Sequence, residues 1–109
     1  MKKLSIALAI VAAFAARALA DNFDHYELIR GNVKRENGYT TLVLGLKNNS
    51  ASTVTQVYVE CGFYRGNELI DDGNESFTYV KPNQIGYGEV SGKGEDITRI
   101  DCRIGNVNQ

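Results

Sequence analysis

The side chains able to do chemistry are few and scattered. His25 is the single histidine, set in "FDHYE" between Asp24 and Glu27. A serine-based triad would need it as the base, and no serine stands in the strand-to-helix elbow that presents such a nucleophile. The expected role of His25 is a solvated residue ahead of the first strand. Zinc requires three or four clustered Cys, His or carboxylate ligands, which one histidine and two distant cysteines do not supply. No enzyme, catalytic residue, metal centre or cofactor is predicted.

Asp71 to Glu75, "DDGNE", gathers oxygen donors around a glycine. That composition suits a hard cation such as calcium, although the twelve-residue loop with a closing bidentate glutamate is missing. A plain acidic hairpin loop is the simpler reading. Asn48 and Asn74 each begin an Asn-x-Ser triplet, which marks a surface loop in a glycosylating host. Gly86 and Gly88 alternate with Ile85 and Tyr87, so they belong to strand packing; no helix follows to make a phosphate site.

The two cysteines, Cys61 and Cys102, carry the most information. In "VYVECGFYRG" Cys61 shares one side of the alternation with Val57, Val59 and Phe63; in "ITRIDCRIG" Cys102 shares its side with Ile100 and Ile104. Both sulfurs are therefore expected in one core, meeting between stacked sheets. A catalytic thiolate would instead need exposure and a nearby positive charge. The start of the chain supplies the compartment. Residues 1–20, "MKKLSIALAIVAAFAARALA", have two lysines, an apolar run closed by Arg17, and a small-x-small end at Ala18-Leu19-Ala20. This is the layout of a cleaved signal helix, and the run is shorter than the roughly 20 residues a membrane span needs. Export to an oxidising compartment favours a Cys61–Cys102 disulfide. Closing a loop of this length contributes about 4 kcal/mol by chain entropy, a useful staple for a domain too small to bury much surface.

Removing 20 residues from the 109 leaves 89, one domain spanning 21–109 with nine basic and thirteen acidic residues, a net charge of −4. The basic residues form no stripe, which argues against nucleic acid or an anionic membrane as a partner. Past the leader the chain has one alanine, Ala51, and all eleven glycines. Valine, isoleucine, tyrosine, threonine and phenylalanine fill the ordered segments, a composition for strands and not helices. The prediction is all-β.

Alternating runs punctuated by turn residues follow at the spacing of a sandwich or barrel. The first covers about Tyr26 to Lys34, with a phase break that Gly31 would absorb as a bulge. Asn37-Gly38 predicts a tight hairpin because both residues tolerate positive φ. "TTLVLGLK" turns Leu42, Leu44 and Leu46 to one face. After "NNSAST" comes the strand of Cys61, then a short strand Glu68 to Ile70, a "DDGN" loop, and the strands "ESFTYV" and "QIGYGEV". "SGKGED" is a loop and "ITRIDCRIG" closes the domain, for about seven antiparallel strands.

Tyr58 and Tyr64 lie opposite Cys61, with Glu60 and side-chain-free Gly62 between them. Such a pair suits a contact patch, because tyrosine combines rigid area with a hydrogen-bonding tip. The plainer reading is cross-strand packing, for instance with Tyr79 or Tyr87.

From Val43 to Val90 the chain resembles the FxLYD family of bacterial cell-envelope domains. Lys47-Asn48-Asn49-Ser50 stands where that family has its Asn-Ser loop, Val57 and Val59 begin the next strand, and Gly62-Phe63-Tyr64 takes the place of the aromatic signature. Gly66-Asn67 supplies the turn, and "YVKPNQIGYGEV" is similar to the proline turn and strand that follow. Arg65 stands where an acid is usual, and Asn83 follows Pro82 where glycine is usual. The resemblance implies an immunoglobulin-like β-sandwich outside the cytoplasm and assigns no catalytic or ligand residue. The expected function is recognition of an unknown protein or envelope component in the periplasm or outside the cell. Binding would use an open sheet edge or the Tyr58, Glu60 and Tyr64 face. The alternative is a hydrolase inhibitor presenting "DDGNE" or "SGKGED" as a rigid loop.

Overall fold

Alternation decides which side of each strand turns inward. Leu42, Leu44 and Leu46 are fully buried, whereas Thr41, Val43 and Lys47 of the opposite parity are only half-buried, the period of two of a sheet with one wet face. The structure is a computed structural model that describes residues 23–109. The predicted leader, residues 1–20, lies outside the described residues. Six strands follow in order: β1 Tyr26–Glu36, β2 Tyr39–Asn48, β3 Val54–Arg65, β4 Glu68–Val80, β5 Ile85–Lys93 and β6 Arg99–Asn108. They form two three-stranded sheets, β1-β2-β5 and β4-β3-β6, with every pair antiparallel. The fold is a β-sandwich.

Local chemistry explains the hairpins. Asn37 and Gly38 have φ of 58° and 84°, the left-handed pair that lets a two-residue turn match strand twist. In β1 the register shifts between Arg30 and Val33, so Val33 stands opposite Leu42. The predicted bulge is there, and it returns β1 to the inward phase after Gly31.

The strand count is six and not seven. Glu68–Ile70 and "ESFTYV" are parts of one strand, because "DDGN" continues the pairing, with Asp71 opposite Phe63 and Gly73 opposite Cys61. Asp71 and Asp72 were expected to leave the sheet; both stay in it, and Asp71 finds a main-chain partner across the sandwich in the Lys93 amide.

The core lies between the sheets. Leu42, Leu44 and Leu46 face Val57, Val59, Phe63 and Phe77, and each fully buried aliphatic side chain contributes roughly 1.5–3 kcal/mol. Buried Asn48 closes one end. Its Nδ2 donates to Val80 O at 2.8 Å and Ser52 O at 2.9 Å, and its Oδ1 accepts from Ser50 N at 2.8 Å. This satisfied amide ties β2 to the end of β4, and it corrects the expectation that Asn48 marks an accessible surface loop.

The sheets meet along two seams. On one side β4 lies beside β5, close enough that a Cβ at Gly73 would stand 2.8 Å from Val90 Cγ2 and 2.9 Å from Ser91 O. On the other side, β1 reaches β6 through side chains.

Candidate functional site

Cys61 and Cys102 form a disulfide, with an S–S distance of 2.07 Å. Its setting differs from the expected one. The two residues are directly opposed on neighbouring strands β3 and β6, with Cα atoms 4.0 Å apart. The bond therefore closes one sheet internally and does not join the two layers. Parity placed both sulfurs on the inner face correctly, since Cys61 is 2% exposed, but parity carries no information on which strands are neighbours. The bond indicates an oxidising, extracytoplasmic location.

Tyr58, Glu60 and Tyr64 share the outer face of the β4-β3-β6 sheet, all half-buried. The Tyr64 ring folds over Gly62, where a Cβ would stand 3.0 Å from Tyr64 Cε1. Arg99 covers the same ring, 4.1 Å from its centroid, a cation–π contact. The glycine gap is thus filled by the neighbouring tyrosine. Arg103 Nη2 donates to Glu60 Oε1 at 3.2 Å, and Arg99 Nε to Asp101 Oδ2 at 3.0 Å. A shallow depression of about 350 Å³ lies among Glu60, Gly62, Tyr64, Leu69, Asp72 and Arg103. Tyr58 stands opposite Ser76 and Asn106. Packing with Tyr87 is excluded by topology, since Tyr87 belongs to β5 in the other sheet.

The acidic segment has a structural task. Asp71 Oδ2 accepts the Lys93 N–H at 2.7 Å, and Glu75 Oε2 accepts the Glu89 N–H at 3.2 Å. These carboxylates cap donors of β5 along an edge that would otherwise present unpaired main chain. No group of three or more His, Cys, Asp or Glu able to hold a metal occurs among the described residues. As an inhibitory loop "DDGNE" fails on position, because it lies inside β4. "SGKGED" is also held down: Gly94 N donates to Gly38 O at 2.6 Å, and Glu95 Oε2 accepts the Gly38 N–H at 2.7 Å. His25 is exposed, and its carbonyl accepts the Asn49 N–H at 2.7 Å.

At the opposite seam the signs reverse. Arg30 Nη1 donates to Ile100 O, and Arg35 Nη2 donates to Ile97 O at 2.9 Å. Between them lies a cleft of about 350 Å³ bordered by Val33, Thr98, Arg99, Ile100 and Asp101.

A second surface escaped the sequence reading. On the outer face of the β1-β2-β5 sheet, Ile29, Ile85 and Tyr87 close over Gly45, where a Cβ would stand 3.2 Å from Ile85 Cγ2, 3.3 Å from Tyr87 Cε1 and 3.5 Å from Ile29 Cβ. Val43 lies on the same face, 3.2 Å from the equivalent position at Gly31 and opposite Glu89. Tyr87 remains 72% exposed and Ile85 37%. The signal was present in "QIGYGEV", whose glycines put Ile85 and Tyr87 on one side. That their neighbours would be Ile29 and Val43 depended on strand order.

Among the described residues no helix is long and apolar enough to cross a membrane. No protein-family model matches the chain, and no curated protein or solved structure shows significant similarity to it.

Proposed function

We propose that the chain is a non-enzymatic, exported binding module that recognises a protein partner in the periplasm or outside the cell. The observation that carries this reading is the apolar cluster of Ile29, Val43, Ile85 and Tyr87 on a sheet face that no described element covers. Solvent faces of antiparallel sheets are ordinarily polar, and contiguous apolar surface marks an interaction site. The disulfide supports export. The FxLYD-like segment supports an immunoglobulin-like reading of the sandwich, with Lys47 to Ser50 at the β2–β3 connection and Phe63-Tyr64 near the end of β3.

Cross-linked capture of the partner from intact envelopes and culture medium tests this reading. Tyr87→Ser should lower capture at least about tenfold at unchanged melting temperature, the size of effect a central aromatic anchor has. The double variant Tyr58→Ala/Tyr64→Ala should change it less than about twofold, these positions lying outside that anchor. The reverse ranking would transfer recognition to the other sheet. Absence of any saturable partner would overturn the binding module itself.

A further inference from the structure

We propose that the β1/β6 seam binds an extended, acidic peptide segment as a strand added to β6. The inference deepens the binding-module reading and rests on it, naming a second contact surface and the chemistry of its occupant.

Charge is the first argument. The chain beyond residue 20 has a surplus of acids, and four arginine or lysine side chains sit within 4.0 Å of a carboxylate: Lys34, Arg65, Arg99 and Arg103. Arg30 and Arg35 have no such partner among the described residues. Each donates instead to a neutral main-chain carbonyl of Ile100 or Ile97, which orients the guanidinium and leaves its remaining N–H groups for a ligand. The cleft also holds Arg99 and Asp101, which pair with each other at 3.0 Å, so Arg30 and Arg35 leave it with an excess of positive charge that favours an anion.

The main chain supplies the second. Ile100 O points away from β3, since Arg30 reaches it from β1. In an antiparallel pair, residues two apart direct their N–H and C=O to the same side. Pairing is regular from Tyr64↔Arg99 to Val59↔Ile104, so Cys102 and Ile104 share the outward phase of Ile100. The 4.0 Å Cα separation of Cys61 and Cys102 agrees, being that of the closer, non-hydrogen-bonded kind of pair. No strand is hydrogen-bonded to β6 on this side, so the outward groups of Cys102 and Ile104 are open to strand addition.

Together these select the occupant. Carboxylates two residues apart on a strand are about 7 Å apart, within reach of two long arginine side chains anchored three residues apart at Ile97 and Ile100. Arg30 keeps the Ile100 carbonyl, so the added strand pairs with the main chain of Cys102 and Ile104. The opposite seam already contains this arrangement within the chain, where acids of β4 bind the main chain of β5.

The test titrates purified, oxidised protein with the peptide Thr-Glu-Val-Glu-Val-Glu-Thr and follows backbone amides by NMR. Binding should slow hydrogen exchange at Cys102 and Ile104. Arg30→Gln/Arg35→Gln should weaken it about tenfold or more, as expected for lost charge-assisted bonds, with the melting temperature retained. Equal binding of the glutamine version of the peptide would overturn the proposal, as would no binding at millimolar concentration. Acetate or phosphate giving the same shifts without amide protection would reduce the cleft to a small-anion site and exclude strand addition. Protection that rises with protein concentration alone would make a second copy the occupant and the peptide assignment wrong. Failure in any of these ways leaves partner capture through Tyr87 intact, so the two readings are separable.

Discussion

Along β4 and β5 the two sheets are drawn together until a side chain at Gly73 would meet Val90, and carboxylates from one strand cap amide donors of the other. Along β1 and β6 the sheets stand apart across a cleft, and guanidiniums from β1 cap a carbonyl of β6, at Ile100, and one just before it, at Ile97. Both seams face one problem, the unpaired main chain at a sheet edge. Each uses the charge that its target demands, acid for N–H and arginine for C=O. The difference is reach. Asp and Glu are short, so an acid-capped seam must be tight, and glycine permits that approach. Arginine is long, so an arginine-capped seam stays open and keeps spare donors.

The largest expected effect lies on neither seam. Replacing both cysteines, Cys61→Ser with Cys102→Ser, should lower unfolding free energy by about 4 kcal/mol, read from the denaturant midpoint at constant m-value. Because the bond lies inside one sheet, the amides of Glu89 and Lys93 should keep their relative exchange protection in native conditions. If protection at the closed seam collapses selectively, the disulfide is holding the layers together and the contrast between seams is misdrawn.

A smaller change separates tight from open. Gly73→Ala should cost about 2 kcal/mol, in the range for overpacking a close approach, since its Cβ would stand within 3 Å of Val90 and the Ser91 carbonyl. Val33→Ala at the open seam should cost under about 1 kcal/mol, because a half-exposed valine has less transfer free energy to lose; Val33 is 39% exposed. Equal melting-point shifts for the two would show that the seams are packed alike.

The smallest effects concern the caps. Glu75→Gln and Asp71→Asn should each cost about 1 kcal/mol, the loss expected when a charged acceptor of a main-chain bond becomes neutral. Arg30→Gln should cost about 0.5 kcal/mol or less, because glutamine keeps an N–H donor for the Ile100 carbonyl. Calorimetry at matched pH orders the three. An Arg30 variant costing more than the Glu75 variant would make the arginine a structural clamp and weaken the case for a ligand.

Much of this architecture was legible beforehand, because side-chain direction in a strand has a strict period of two. Leu42-Leu44-Leu46, the inward cysteines, the Asn37-Gly38 turn and the bulge near Gly31 all follow from residue type within a few positions. The segments read wrongly have a common cause. "DDGN" looked like a loop, and it is strand because β3 pairs along its whole length, with Asp71 turned to the Lys93 amide of β5. Asn48 looked exposed, and it is buried because Val80 and Ser52 arrive to satisfy its amide. The Tyr58 and Tyr64 face was found, but the filling of its gap by Tyr64 and Arg99 was not.

From residue order alone came the all-β class, the inner and outer side of most strands, and the expectation that two thiols would pair. Those follow from local geometry and composition, which need no partner. Which strands are neighbours, that the sulfur bridge closes one sheet, and that acids seal one seam while arginines leave the other ajar emerged only on folding. Each depends on contacts between residues far apart in the chain, and alternation along a strand is blind to what lies across from it.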